Sequence, residues 1–227
     1  ISRYNYKMIY ILEPLINVFI LSSFTILFGY VMDFTVSRNT LEYYCREKLS
    51  LYIDGIKATM VNLLIIAPIN YIIIFNWLNF LISTVYTFSI LKTSLLVLTH
   101  NILYFLSHMA VHRITSIRYI HDFHHKFKIN LPSIGNAVSV GEFQIMYVLP
   151  FLLGSYIFSP SVLDLNISVF IISFLNVLIH CDEFKNLSWV SIFVSPKQHC
   201  QHHDTYHSTY SAPLVNFDLL LNNKKIE

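Results

Sequence analysis

Five long apolar runs constrain this chain more than any other feature, because about 20 mostly apolar residues can cross a lipid bilayer as a helix. The runs cover residues 9–32, 60–75, 80–110, 143–158 and 163–179. The third run is too long for one simple crossing, so we expect its early part to lie at the interface and its later part, from about Leu91, to cross. The last two runs are joined by Ser159-Pro160-Ser161, a turn signal. Each is marginal for a full crossing, so they predict either two crossings or a hairpin that enters the membrane and returns.

The composition agrees with a membrane protein. Charged residues make up 12% of the chain and hydrophobic residues 55%, whereas a soluble domain carries about 25% charged residues. The net charge of +2 gives no sign of nucleic-acid binding. Three widely spaced cysteines form no disulfide framework, so we expect the chemistry to face a reducing compartment. We therefore predict an all-α fold, a polytopic membrane helical bundle that forms one domain over residues 1–227.

Basic residues predict the orientation of this bundle. Arg113, Arg118, Lys126 and Lys128 directly follow the third apolar run, and basic loops are retained on the cytosolic side. The predicted divisions are mainly transmembrane helices over 1–107, a membrane hairpin over 143–180, and cytosolic metal-binding segments over 108–142 and 181–227. The two cytosolic segments contain the histidine clusters, which then share one side of the membrane.

Nine of the eleven histidines fall in two short windows. They form the motifs H-x3-H, H-x2-H-H and H-x2-H-H again: His108 and His112; His121, His124 and His125; His199, His202 and His203, followed by His207. Residues four apart on a helix project from one face. Adjacent residues point about 100° apart, so each H-H pair is expected to serve two ions side by side.

The number of imidazoles indicates two metal ions. Eight are too many for one tetrahedral zinc ion, and they suffice for two ions with positions left open for oxygen. Imidazole binds iron, copper, zinc or nickel, so the ligand type alone does not choose the metal. The two His-rich segments, which lie at and beyond a helix end, therefore predict a cytosolic cap that binds two metal ions at one end of the helical bundle.

These motifs resemble those of the fatty acid hydroxylase and sterol desaturase superfamily of membrane di-iron enzymes. His108-Met-Ala-Val-His112 is followed after a short gap by His121-Asp-Phe-His124-His125. That gap most resembles methyl sterol oxidases and their hydroxylase relatives, since acyl-lipid desaturases place their first two boxes much further apart. Further similarities stand outside the boxes: Glu142 resembles the acidic residue after the second box, His180 the lone histidine before the last box, and Tyr210 and Asp218 the closing segment.

The resemblance implies nine metal ligands: His108, His112, His121, His124, His125, His180, His199, His202 and His203. It further implies two iron ions, dioxygen as co-substrate, and electrons from NAD(P)H delivered by a reductase and a b-type cytochrome. Zinc can replace iron in purified protein, because it outcompetes ferrous iron at many nitrogen sites. The implied reaction is hydroxylation of a C–H bond in a sterol or related lipid, in the endoplasmic reticulum membrane, with the metal site facing the cytosol.

Four positions depart from the family pattern and bear on the substrate more than on the metals. Phe217-Asp218 replaces Trp-Asp, Thr209-Tyr210-Ser211 replaces Asn-Tyr-Gly, Val140-Gly141 replaces His-Pro, and Asn176 stands where some relatives have histidine. Three alternatives stay open: a sterol or fatty-acyl desaturase, a metal transporter or other non-catalytic metal-binding protein, and an inactive relative. Transporters usually hold their ligands near the membrane midplane, whereas these boxes lie at and beyond a helix end.

Overall fold

The computed structural model describes residues 2–77, 87–187, 189–206 and 209–221. Its α-helices are α1 (Ser2–Thr35), α2 (Arg38–Glu47), α3 (Leu49–Val61), α4 (Ala67–Trp77), α5 (Ile90–Arg113), α6 (Val140–Glu142), α7 (Leu149–Phe158), α8 (Val162–Ile179), α9 (Pro196–Thr205) and α10 (Asp218–Leu221). Short 3-10 helices cover Thr115–Ile120, His124–Lys126, Pro132–Ile134 and Asp182–Asn186. Within these ranges no strand forms, apart from an isolated bridge between Phe193 and Val215. The all-α prediction is confirmed.

Five helical stretches are long and apolar enough to cross a membrane: Leu15–Thr35, Leu49–Ile73, Ile90–Arg113, Val140–Phe158 and Val162–Ile179. The predicted polytopic bundle is therefore confirmed. The second stretch begins earlier than the apolar run at 60–75, because α3 continues into α4 through a π-helical segment, Asn62–Ile66. Asp54 and Lys57 are exposed on α3, so their charges do not interrupt the helix. The early part of the third run, 80–86, lies outside the described residues.

The predicted hairpin consists of two full-length arms. The first arm runs from α6 through a second π-helical segment, Phe143–Val148, into α7. Ser159 ends α7 in the left-handed conformation, with φ of 44°. Ser161 then begins α8 with a capping box, in which its side chain accepts from the backbone of Asp164 and Asp164 accepts in return. This tight turn reverses the chain direction, and both arms pack against α5.

One end of the bundle collects the loops that carry the histidines. Helices α5 and α8 both finish there, because the chain crosses back through α7 between them. The loop after α5 is bound to α1 and α2: Asp33 Oδ1 accepts from the Ser133 backbone N–H at 3.1 Å, and the Tyr44 hydroxyl donates to the Ile129 carbonyl at 2.6 Å. A small apolar core below this loop includes Phe127. These contacts hold the loop in a fixed position, on which a site can be built.

Candidate metal centre

The first two histidines are placed by the last turns of α5. His108 and His112 lie on one face, as their spacing predicts, and their Nε2 atoms are 3.2 Å apart. His108 is buried and His112 is partly buried. The backbone then leaves the helix at Ile114 in an extended conformation, which turns the following segment back over the exposed end of this face.

The second box lies on that returning segment. Two short 3-10 helices bring His121, His124 and His125 into the interior, where each is no more than 3% exposed. The Nε2 atom of His121 is 2.9 Å from that of His108, and the Nε2 atom of His125 is 3.2 Å from that of His112. The first and second boxes therefore meet nitrogen to nitrogen.

The third box lies on α9. Ser195 and Gln198 form a capping box and Pro196 occupies the first turn, a strong signal for starting a helix. All three histidines of this box are buried. His199 Nε2 lies 2.9 Å from Nε2 of His180, which follows the last residue of α8, and His203 Nε2 lies 3.2 Å from His199 Nε2.

The structure brings all nine predicted histidines together in two groups. One consists of His108, His112, His121, His125 and His202, and the other of His124, His180, His199 and His203; within each, one ligand nitrogen per residue lies within 4.8 Å of the others. The adjacent histidines 124 and 125 belong to different groups, with ring centroids 6.0 Å apart, and so do 202 and 203, at 6.1 Å. This is the side-by-side arrangement that their angular separation on a helix predicts.

The nitrogen separations fit metal coordination. If a metal–imidazole bond is about 2.1 Å long, Nε2 separations of 2.9 to 3.2 Å correspond to angles of about 90° to 100° at a shared ion. Such angles suit an ion with five or six ligands better than a tetrahedral one, whose angles are about 109°. The donor sets of five and four imidazoles could therefore each hold an ion and leave positions open.

Four of these rings are oriented through the nitrogen that faces away from the group. The Nδ1–H of His121 donates to Glu142 Oε1 at 2.7 Å, and both side chains are buried. The other three donate to backbone carbonyls: His108 to Tyr210 at 2.8 Å, His180 to Asn176 at 2.7 Å, and His124 to Ala137 at 3.4 Å. A donor bond at Nδ1 fixes the tautomer and leaves Nε2 free to bind a metal.

Burial keeps the imidazoles outside the membrane spans in their neutral form. Desolvation is the main cause that lowers the pKa of His121, His199 and His203 well below the usual value, and repulsion from the neighbouring histidines lowers it further. Desolvation also lowers the pKa of His180 to about 4. Because a metal binds the deprotonated ring, these groups are ready to bind at neutral pH without first releasing a proton.

Of four acidic side chains close to the histidine boxes in sequence, Glu142 accepts from a ring N–H. Asp122 instead pairs with Arg118 at 3.7 Å, Asp182 pairs with Lys185 at 2.8 Å, and Asp204 is exposed. Cys200, inside the third box, accepts from the Asn130 side chain at 3.3 Å and is in neither group. His100 is fully buried two turns before His108 and packs on Tyr104, Tyr147 and Phe151. His207 lies outside the described residues.

The sequence did not indicate how the closing segment supports the site. Asp218 accepts from the backbone N–H groups of Tyr210 and Ser211 at 2.9 and 2.8 Å, which holds the Tyr210 carbonyl against His108. Tyr206, left-handed with φ of 63°, stacks on His125 with ring centroids 4.3 Å apart. Only the resemblance of Tyr210 and Asp218 to the family's last segment could have pointed to part of this arrangement.

The departure at Asn176 has a structural role in this chain. Its side chain donates to Asn136 Oδ1 at 3.1 Å and to the Gly135 carbonyl at 3.3 Å. Its own carbonyl accepts from His180. A residue that replaces a histidine of some relatives therefore connects α8 to the loop below the second group.

Comparison with known proteins agrees with this geometry. No curated protein and no solved structure matches the chain. The sequence pattern of one family, described as fatty acid hydroxylase, matches residues 93–223. That stretch is more than half of the chain and contains all nine clustered histidines of the two groups. The chain belongs to the fatty acid hydroxylase family.

Proposed function

We propose that this protein is a di-iron lipid hydroxylase that oxidises a C–H bond of a sterol or related membrane lipid. Membership of the family indicates a lipid oxidase of the hydroxylase or desaturase type, within a membrane. The observation that carries the proposal is the pair of adjacent groups of inward-facing imidazoles. We assign one iron ion to each group and all nine histidines as its ligands.

The proposed reaction inserts one oxygen atom of dioxygen into the lipid and releases the other as water, which requires two electrons and two protons. Bound iron would supply the activation of dioxygen. The chain supplies orientation through Glu142 and the carbonyls that hold the Nδ1 atoms. It also excludes water, because eight of the nine ligand side chains are buried. Such preorganisation of position and solvent access is what a protein contributes to cofactor chemistry.

A lipid substrate is supported by an apolar cavity inside the bundle. The cavity has a volume of about 120 Å³ and is lined by residues of α1, α4, α7 and α8, among them Val18, Tyr71 and Phe151. Its lining includes Asn136, next to Ala137, whose carbonyl accepts from His124. A hydrocarbon chain in this cavity would thus approach the second group of histidines from the membrane.

The electron source and the orientation are also parts of the proposal. Electrons would come from NAD(P)H through a reductase and a b-type cytochrome on the cytosolic face of the endoplasmic reticulum. Arg113, Arg118 and Lys128 are exposed beside the metal centre, and basic residues at a span's end favour the cytosolic side. Lys128 and Arg118 both lie over the Tyr206 ring, which stacks on His125.

The proposal is tested by metal content together with lipid products. The purified chain should bind close to two metal ions, and cells that express it should accumulate a lipid carrying one additional oxygen atom. His124→Ala and His202→Ala, one from each group, should abolish that product while the protein still inserts into membranes. Loss of two hydrogen atoms instead would identify a desaturase. Full activity of either variant, or bound metal without any change in lipids, would refute the proposed hydroxylase.

A further inference from the structure

Two segments beyond α8 have an apolar outer surface although neither is a long helix. We call the described residues 187, 189–194 and 209–221 the apolar wedge. Val190 is 65% exposed, Ile192 55% and Leu220 78%. No charged residue occurs between Lys185 and Lys197, and the only one in 209–221 is Asp218, which is buried. An exposed apolar surface of this extent indicates contact with something other than water.

The wedge reaches deep along the span of α5. The backbone N–H groups of Leu214 and Val215 donate to Asn101 Oδ1 at 3.1 and 3.2 Å. Asn101 lies twelve residues before Arg113, the last residue of α5, which is about 18 Å along a helix axis. Phe217 packs on Phe105 with ring centroids 5.8 Å apart. If α5 crosses the bilayer, the wedge lies beside its hydrocarbon-embedded half.

Non-helical backbone is tolerated at that depth only where protein groups satisfy its hydrogen bonds, and several backbone groups of the wedge are paired in this way. Its two segments bond each other: Val194 N–H donates to the Leu214 carbonyl at 2.8 Å, and Asn216 N–H donates to the Ile192 carbonyl at 2.9 Å. Asn101, in the middle of a membrane span, and Asp218 supply further acceptors. Apolar side chains then face outward while these backbone groups are paired inside.

A second cavity lies between the wedge and α8. It has a volume of about 230 Å³, and every lining residue is apolar: Leu175, Leu178, Ile179, Trp189, Phe193, Val194, Pro213 and Leu214. It meets a different face of α8 from the cavity inside the bundle. One of its lining residues, Ile179, directly precedes His180, which belongs to the group of four histidines. An apolar cavity of about 150 Å³ can hold benzene, so this one has room for a stretch of hydrocarbon.

We propose that the apolar wedge is embedded in the bilayer and that its cavity binds the hydrocarbon chain of a membrane lipid, as a lateral access site to the metal centre. The location differs from the cytosolic placement that the sequence predicted for 181–227. Embedding of the wedge stands without any assumption about catalysis. The link from the cavity to the metal centre rests on the proposed function.

The test uses Trp189, which lines the cavity and is 38% exposed. The chain has only two tryptophans, so Trp77→Phe leaves Trp189 as the single emitter. This variant is reconstituted in phosphatidylcholine vesicles, with and without bromine on the acyl chains. Brominated lipid should quench the emission strongly, and aqueous iodide should have little effect. Quenching by iodide without quenching by brominated lipid would overturn the embedding.

If Trp77→Phe does not insert, the reciprocal variant Trp189→Phe replaces it. This variant reports the emission of Trp77 alone, and subtracting its quenching from that of the unsubstituted chain gives the quenching of Trp189.

Occupancy of the cavity is tested with a phosphatidylcholine that carries a photoreactive diazirine on its acyl chain. Crosslinks should be found on the peptides that contain Leu178 and Pro213. Leu178→Trp should remove them by filling the cavity, whereas Leu153→Trp, on the exposed surface of α7, should not. Crosslinks that persist in Leu178→Trp would overturn the cavity assignment.

Metal content, measured on the same preparations, separates this proposal from the proposed function. If the chain binds two metal ions but brominated lipid does not quench Trp189, the metal centre is supported and the embedding of the wedge is refuted. If brominated lipid quenches Trp189 but the chain binds no metal, the embedding of the wedge is supported and the di-iron proposal is refuted.

Discussion

Glu142→Gln should weaken one metal-binding site and spare the other. The Glu142 carboxylate accepts from His121 Nδ1–H at 2.7 Å, with both side chains at most 1% exposed. His121 belongs to the group of five histidines and not to the group of four. The substitution keeps the shape of the side chain and one acceptor oxygen, but removes the negative charge that increases the electron density of the ring.

The magnitude follows from the type of hydrogen bond lost. A bond to a charged group contributes about 1.5–3 kcal/mol, and a neutral one about 0.5–1.5 kcal/mol. The difference is about 1–1.5 kcal/mol, or a factor of roughly 5–13 in the dissociation constant. Loss of such an orienting partner typically lowers metal affinity by about 10–100-fold. We therefore expect a loss of about tenfold for the ion in the five-histidine group.

The assay is an anaerobic titration of metal-free protein with ferrous iron in competition with a chelator. The unsubstituted chain should bind two equivalents, and Glu142→Gln should show one of them weakened and one unchanged. Asp122→Asn is the matched control, because this carboxylate is adjacent to His121 in sequence but is 58% exposed and pairs only loosely with Arg118, at 3.7 Å. Two unchanged dissociation constants in Glu142→Gln would refute the orienting role of Glu142.

Three further predictions concern the supports of the site. Asn101→Leu removes the acceptor of two backbone N–H groups in the wedge, so the free energy of unfolding should fall by about 1–3 kcal/mol, measured by denaturation in detergent; an unchanged value would count against that contact. Gly135→Ala would place a Cβ atom 3.0 Å from the His180 ring, so it should reduce bound metal from two equivalents towards one, and full occupancy would contradict this. Because burial lowers the pKa of His180 from 6.5 to about 4, the unfolded chain is protonated first as pH falls. In the metal-free protein, His180 alone should therefore contribute a loss of up to roughly 3 kcal/mol of stability between pH 6.5 and 4, in addition to the losses from the other buried histidines. His180→Gln should show a smaller total loss over the same range.

The sequence predicted the histidine groups well because their geometry is local. A spacing of four on α5 fixes a shared face, and the adjacent His124 and His125 must diverge, so two neighbouring groups follow from three short motifs. The apolar runs predicted the spans for the same reason. The beginning of the second span was placed too late, because exposed charges such as Lys57 on one face of α3 resemble a loop when only composition is considered.

The remainder of the site depends on contacts between distant parts of the chain. The role of Asn101 as an acceptor for residues more than one hundred positions later has no signature in spacing or composition. The contacts of the wedge with α5 were not predicted for the same reason, because no local pattern in 209–221 specifies them. Glu142 was identified only because it resembled a family residue, and the partner of its carboxylate, His121, became evident from the structure.

The interleaving of the two histidine groups has a consequence for how the protein matures. The group of four takes His124 from the loop after α5, His180 from the end of α8, and His199 and His203 from α9. No part of the nascent chain contains this complete set until α9 has been synthesised and docked. Ion capture is therefore expected to be one of the last events in biogenesis, and because binding free energy adds to folding free energy, scarcity of the bound metal should shorten the protein's lifetime in the cell.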